Sequence, residues 1–249
     1  MKIVIPSRFG STRLPGKPLA DILGKPMIQH VWERAQEAAC PEDDIVIAAD
    51  DDRILAAAKQ FGAKAVKTRS DHESGTDRIA ETASIMGWGE DEVVVNLQGD
   101  EPLMPPELLR LVGNALLGQP MAGMATASCR IVQATDVTNP NIVKVVTDTE
   151  GMAMYFSRSP IPHERSGIID VDAFSYQRHL GLYAYRVKTL ATLAGLPPAP
   201  LEQVECLEQL RALASGMKIH VTEVKEAPPH GVDTAEDLEA VRLVLGVTA

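Results

Sequence analysis

EVVVNLQGDEP, running from Glu92 to Pro102, is the stretch on which the fold turns. Three valines followed by Asn-Leu form an apolar run without polar alternation. That is the pattern of a strand buried on both faces, and such strands belong to parallel sheets covered by helices. Upstream, Thr76 to Met86 has helical spacing, with Ile79, Ala80 and Ala83 as its inner stripe. Downstream, Pro105 to Leu117 predicts a helix with Pro105 or Pro106 in its first turn. Toward the N-terminus the alternation repeats: strands over Lys2–Pro6, Asp44–Ala49 and Ala63–Lys67, helices over Pro26–Ala39 and Asp52–Phe61. Strands alternating with helices predict an α/β fold with a mostly parallel, doubly wound sheet. Ligands of such sheets bind beyond the carboxyl ends of the strands, where this sequence places Arg8, Asp50 and Asp100.

The texture changes after about residue 120. Strands are expected over Met121–Arg130, Ile142–Thr147, Met152–Ser157 and Gly181–Arg186, with a loop over Ser159–Tyr176. One helix is expected over Leu201–Ser215, a strand over Lys218–Val224 and a closing helix over Thr234–Gly246, capped by Thr234 with Asp237 three residues on. This half reads as a smaller mixed-sheet subdomain. The chain as a whole, 1–249, reads as a single domain in two halves, 1–120 and 121–249.

The totals narrow the function classes. Of 249 residues, 45% are hydrophobic, enough for a sizeable core. A net charge of −10 disfavours nucleic acid and anionic membrane as partners. Cys40, Cys129 and Cys206 are far apart and have no zinc spacing. The apolar start stops at Pro6, too short for a signal peptide's core, and no stretch approaches a membrane span. The expectation is a cytoplasmic protein.

Against this acidic background, Arg8, Arg13 and Lys17 fall in one loop after the first strand, with Gly10 and Gly16. Arginine suits bidentate phosphate contacts, so the loop is a candidate polyphosphate cradle; a solvated basic loop is the bland alternative. GxGxxG is absent. Gly10 to Lys17 has five residues between its glycines where a Walker loop has four, and Pro18 stands where Ser or Thr would hold magnesium. Asp100 is the first candidate for a hard-cation ligand, since magnesium takes one or two carboxylates plus substrate phosphates; a turn aspartate is the alternative. Glu101, the next residue, is a further candidate. Asp233, in HGVDTAED, either faces the same place or merely caps the last helix. Asp50–Asp52 is an acidic helix start. Arg78 either reads a base edge or is an exposed helix charge. Tyr183 and Tyr185 share a strand face, His179 either bonds a sugar or is structural, and Glu208 and Gln209 lie in a polar break of their helix.

These residues carry a resemblance. IPSRFGSTRLPGKPL, SGTDRIAE, VNLQGDEPL, YFSRSPIP, RHLGLYAYR, LEQVECLEQLRAL and GVDTAED, spread from Ile5 to Asp237, resemble the 3-deoxy-manno-octulosonate cytidylyltransferase family. The first stretch occurs widely among sugar nucleotidyltransferases; RHLGLYAYR with LEQVECLEQLRAL is the more specific pair. The resemblance implies a three-layer nucleotide-diphospho-sugar transferase fold, a homodimer, and transfer of CMP from CTP to 3-deoxy-D-manno-octulosonate for lipopolysaccharide biosynthesis. It makes residues 1–249 a single nucleotidyltransferase domain, with 1–120 mainly for CTP binding and 121–249 mainly for sugar binding and dimerisation, returning Asp233 to the first half. It makes Arg8, Arg13 and Lys17 triphosphate-binding residues, with Arg13, Lys17 and Asp100 catalytic. It associates Ser74, Arg78 and Gln98 with nucleotide recognition. It makes Asp100 and Asp233 ligands of Mg2+, and Arg158, His179, Tyr183, Glu208 and Gln209 the lining of a sugar pocket. His163 stands where relatives often carry an aromatic residue. The rival readings are activation of another acidic sugar, such as sialic acid or an amino variant of the octulosonate, and a non-catalytic nucleotide sensor.

Overall fold

The computed structural model describes residues 1–10, 14–72 and 74–248; Arg13 lies outside them. The chain forms two units: Met1–Arg110 with Pro228–Ala249, and Leu111–Ala227.

In the first unit, β1 (Lys2–Ser7) is followed by a short 3₁₀ turn at Lys17–Leu19. A small hairpin of β2 (Asp21–Ile22) and β3 (Lys25–Pro26) leads into α1 (Met27–Ala38). Then come β4 (Asp44–Ala49), α2 (Asp52–Gln60), β5 (Ala65–Lys67), α3 (Gly75–Met86), β6 (Val93–Asn96) and α4 (Pro106–Leu117), which begins in this unit. β6, β1, β4 and β5 lie side by side and all pair in parallel. The apolar runs account for this arrangement. Ile3, Val4 and Ile5 of β1, Val46 and Ile47 of β4, and Val93–Val95 of β6 are buried along consecutive residues, so both sheet faces are covered. Six in-register pairs, from Lys2 opposite Asp44 to Ser7 opposite Ala49, end the two strands together and gather their carboxyl-end loops. The last helix, α9 (Ala235–Thr248), returns to this unit. Its Leu238 and Val241 pack with Val232 against Ile22 and Met27 of the hairpin region. Thr234 and Asp237 cap it reciprocally, as the sequence predicts.

The second unit holds β7 (Met124–Arg130), α5 (Ala134–Thr138), β8 (Lys144–Thr147), β9 (Ala153–Ser157), β10 (Gln177–Arg186), α6 (Val187–Ala194), α7 (Pro200–Glu205), α8 (Gln209–Ala214) and β11 (Ile219–Val224). Its strands run β11, β7, β10, β8, β9. Only the β11–β7 pair is parallel, which makes the sheet mixed, as expected.

Three expectations need correction. The helix over Leu201–Ser215 is two helices. Cys206 sits in the left-handed region at φ 52 and ends α7. The Glu205 carbonyl is taken by the Arg158 Nε at 2.8 Å, and its carboxylate by the Ser157 hydroxyl and the Arg158 N–H. Tertiary bonds thus claim the residue that would have continued the helix. The strand expected from Gly181 begins at Gln177, with an irregularity between Leu180 and Tyr183. The loop expected over Ser159–Tyr176 is borne out, but α5 and α6 were not foreseen; both are short and weakly patterned.

Lys144 anchors this second unit. It is fully buried, yet its ammonium donates to the carbonyls of Asn139 at 3.0 Å, Ile142 at 2.6 Å and Arg158 at 2.5 Å. All three of its donors are used, the condition under which a buried charge is tolerated. Desolvation pulls its pKa below the usual lysine range.

Candidate active site

Every group of the first site comes from the first unit. At the end of β1, Ser7 and Arg8 open into a cavity of about 320 Å³, also lined by Lys17, His72, Ser74, Arg78, Gln98, Asp100 and Asp233. Gly99 makes the close turn after β6 possible: a Cβ there would stand 2.8 Å from the Pro6 carbonyl. Gly231 does the same on the returning segment, where a Cβ would stand 3.0 Å from the Asp100 carbonyl. The Val232 N–H donates to that same Asp100 carbonyl at 2.8 Å. This backbone bond fixes Asp233 beside Asp100, more than 130 residues apart in the chain.

Lys17 joins them. Its ammonium donates to Asp100 Oδ2 at 2.6 Å, to the Val232 carbonyl at 2.7 Å and to Asp233 Oδ1 at 3.3 Å. The basic loop and both candidate metal ligands therefore converge on one point. Among the described residues no group of three His, Cys, Asp or Glu side chains could hold a metal. Two carboxylates and a carbonyl, with phosphate oxygens completing the shell, are nonetheless a fitting donor set for a hard divalent cation. The Lys17 ammonium marks where positive charge is welcome. Burial, with the Asp100 carboxylate beside it, pushes Glu101 up to about 8, so it is a poorer anionic ligand than its neighbour.

The structure reads Arg78 differently from either sequence alternative. It is 3% exposed and donates to the Thr68 hydroxyl, to the Arg69 carbonyl at 3.2 Å and to Asp50 Oδ2 at 3.2 Å. Asp50 in turn accepts the Phe9 N–H at 3.1 Å. Arg78 and Asp50 thus hold the start of the basic loop in place, and the exposed-charge reading falls. Ser74 is the N-cap of α3, accepting the Asp77 N–H at 3.1 Å in a capping box. Gln98 lies near Gly75, where a Cβ would meet its amide at 3.7 Å. Ser7 was missed by sequence reasoning. It is buried at the cavity wall, and its hydroxyl has no partner among the described residues.

The five residues assigned to a sugar pocket fall in the second unit. Tyr183 and His179 are 2.8 Å apart, hydroxyl to Nε2, and Phe156 meets the His179 ring edge-on. The Thr126 hydroxyl lies 3.2 Å from the same nitrogen and 2.9 and 2.8 Å from the Leu180 and Leu182 carbonyls, spanning the irregular part of β10. Tyr183 stacks on Tyr185, with centroids 5.8 Å apart. Burial raises the Tyr183 hydroxyl well above its ordinary pKa, and the Tyr185 and Glu208 charges add to this. Gln209 is buried, and its Nε2 has no partner among the described residues. Arg158 uses its guanidinium on the carbonyls of Glu205, Pro140 and Cys206 and so organises the turn before Glu208.

Burial brings His179 down to about 3. In the unfolded chain it titrates near 6.5, so between roughly pH 6.5 and 3 the unfolded state holds one more proton than the folded one. Stability must therefore fall as pH drops through that window. The contribution is about 1.4 kcal/mol per pH unit at most, or about 3 kcal/mol at about pH 4.5. Urea unfolding across this range is expected to show a shallower pH slope for His179→Gln than for the unchanged chain.

A parallel α/β unit with cations and a carboxylate pair gathered at its strand ends belongs to the class of α/β proteins whose ligand site lies beyond the carboxyl ends of the strands. Comparison with known proteins narrows that class. The family model described as cytidylyltransferase matches residues 2–219. The 3-deoxy-manno-octulosonate cytidylyltransferase of Vibrio vulnificus (strain YJ016) is 51% identical over 246 residues, spanning 98% of this chain and 97% of its own. That of Hahella chejuensis (strain KCTC 2396) is 50% identical over 248 residues, spanning 98% and 96%. A solved structure of CMP:2-keto-3-deoxy-manno-octonic acid synthetase complexed with CTP matches with a TM-score of 0.90 at 44% identity, covering 99% of this chain and 98% of that one. A cytidylyltransferase from Leptospira borgpetersenii, 17% identical with a TM-score of 0.62 over 98% of this chain and 86% of its own, shares the fold. The chain belongs to the cytidylyltransferase family, within the branch of the 3-deoxy-manno-octulosonate cytidylyltransferases.

Proposed function

We propose that the chain transfers CMP from CTP to 3-deoxy-D-manno-octulosonate, releasing pyrophosphate, in lipopolysaccharide biosynthesis. The observation that carries this reading is the convergence of Lys17, Asp100 and Asp233, from three distant segments, in a cavity that also receives Arg8. Full-length likeness to relatives of that name supplies the substrate class.

In the reaction, the anomeric hydroxyl oxygen of the sugar bonds to the α-phosphorus of CTP. The bond from that phosphorus to the oxygen bridging to the β-phosphate breaks, the electron pair leaves with pyrophosphate, and the proton of the attacking hydroxyl is released to water. Arg8, and Arg13 outside the described residues, hold the triphosphate by charge-assisted bonds. Lys17 offers its ammonium to the oxygens on which charge accumulates in the transition state. Asp100 and Asp233 would hold Mg2+, which when bound polarises phosphate oxygens and orients the nucleophile. Ser74 and Gln98 line the nucleotide cavity, while Arg78 acts by holding the loop through Asp50. His179, Tyr183, Glu208, Gln209 and Arg158 serve the acidic sugar. His179, being neutral, offers it hydrogen bonds and no charge.

The reading places the enzyme in the cytoplasm, where CTP is made, and as a homodimer; no helix among the described residues is long and apolar enough to cross a membrane. Pyrophosphate release with CTP, magnesium and 3-deoxy-D-manno-octulosonate tests the whole. Turnover is expected with this sugar in preference to sialic acid or an amino variant of the octulosonate. CTP binding without pyrophosphate release for any of these acids would make the chain a nucleotide sensor.

A further inference from the structure

Resting on the proposed use of CTP, one further residue has the geometry to choose the base. His72 lines the same cavity as Ser74, Arg78 and Gln98. Its Nε2 lies 2.5 Å from Glu81 Oε2, and the other role of that same oxygen is to accept the Arg69 N–H at 2.9 Å. The bonds from His72 and Arg69 hold Glu81 below the usual carboxylate range despite the opposing effect of burial, so it is ionised. An ionised carboxylate only accepts, so a proton on Nε2 faces it, and of the two neutral tautomers Glu81 selects the one protonated at Nε2. In that tautomer the other ring nitrogen, Nδ1, is a lone-pair acceptor, and no described residue partners it.

The neighbours of His72 cannot make the same choice. The Ser74 hydroxyl accepts the cap bond of α3 and, like the Ser7 hydroxyl with no described partner, keeps a rotatable O–H that suits either pyrimidine, while Arg78 is used on Thr68, Arg69 and Asp50. Arg8 and Lys17 only donate. Gln98 carries a donor and an acceptor on one rotatable amide, so a flip lets it suit either pyrimidine. His72 is pinned and cannot flip without giving up Glu81. Cytosine presents an exocyclic amino donor where uracil presents a carbonyl acceptor. A fixed acceptor in the wall gains a bond from the first and meets an unfavourable pairing of lone pairs with the second.

We propose that His72, its tautomer set by Glu81, accepts a hydrogen bond from the exocyclic amino group of cytosine and is a determinant of CTP over UTP. The experiment measures kcat/KM for CTP and for UTP, with the sugar acid saturating, in the unchanged enzyme, His72→Leu and Glu81→Gln. His72→Leu is expected to lower the CTP:UTP ratio by about tenfold or more, with CTP use falling and UTP use unchanged or higher. Glu81→Gln can donate to the ring and release the other tautomer, so it should shift the ratio the same way by less. Nitrogen NMR of the unchanged enzyme should show His72 protonated at Nε2 and its Nδ1 signal moving on addition of CTP but not UTP. Should His72→Leu fail to fold by circular dichroism, Glu81→Gln and the NMR signature decide. Equal losses for both nucleotides, or an unchanged ratio in both variants, would overturn the proposal and leave His72 a structural side chain. An unchanged enzyme that prefers UTP, or uses neither, would instead sink the cytidylyl reading itself.

Discussion

Asp100→Asn is expected to lower kcat/KM for CTP by about a thousandfold or more while leaving the fold intact. The substitution keeps the shape of the side chain and its place after β6, so the close turn at Gly99 and the Val232 N–H bond to the residue 100 carbonyl survive. What changes is charge. The pair that faces Lys17 drops from two carboxylates to one, and a hard cation loses one of the two anionic protein ligands in this donor set. Lys17 meanwhile keeps the Val232 carbonyl and Asp233, so its own burial is not left uncompensated. A magnesium titration of pyrophosphate release checks this. Activity should remain far below that of the unchanged enzyme at every magnesium concentration, and Mn2+ binding followed by electron paramagnetic resonance should weaken in parallel. Turnover undiminished at ordinary magnesium would remove Asp100 from the metal site and leave it a turn residue.

Much of this arrangement is legible in the sequence because the first unit follows local rules. β1, β4 and β6 are continuous apolar runs, and a sheet covered on both faces has no other use for them. Asp100 could be placed because it follows the clearest strand at once. Asp233 could be proposed but not placed. Its position depends on one backbone bond across the chain, from Val232 to Asp100, and on a glycine that lets the segments approach. Neither leaves a periodic trace.

The misses share that cause. Arg78 looks like any helix arginine until Asp50 and Thr68 are brought around it. His72 carries no local signal, because its partner Glu81 lies nine residues on, within a helix it precedes. The broken helix at Cys206 reflects bonds from Arg158 to Glu205, 47 residues apart, that outweigh a favourable local pattern. Sequence pattern thus finds the strands that carry a site, while the bonds that orient the side chains on them are long-range.

Lys17→Met is expected to lower kcat by about a hundredfold to a thousandfold while KM for CTP changes far less, the pattern of a contact realised in the transition state. The geometry adds a second expectation with the opposite sign. In the structure this ammonium occupies the point that both carboxylates and the Val232 carbonyl address. A divalent cation recruited to the same oxygens must compete with a like charge already there, and neighbouring cations at such short range repel. Methionine keeps most of the side chain's volume but carries no charge. Mn2+ affinity without nucleotide is therefore expected to rise by about tenfold or more, as removing an adjacent like charge favours an ion. The two results together identify Lys17 as the group that holds the carboxylate pair before the ion arrives and then serves the phosphates. A merely structural lysine would lower activity and metal affinity together, and Lys17→Met enzyme with normal single-turnover rates would have no catalytic role to explain.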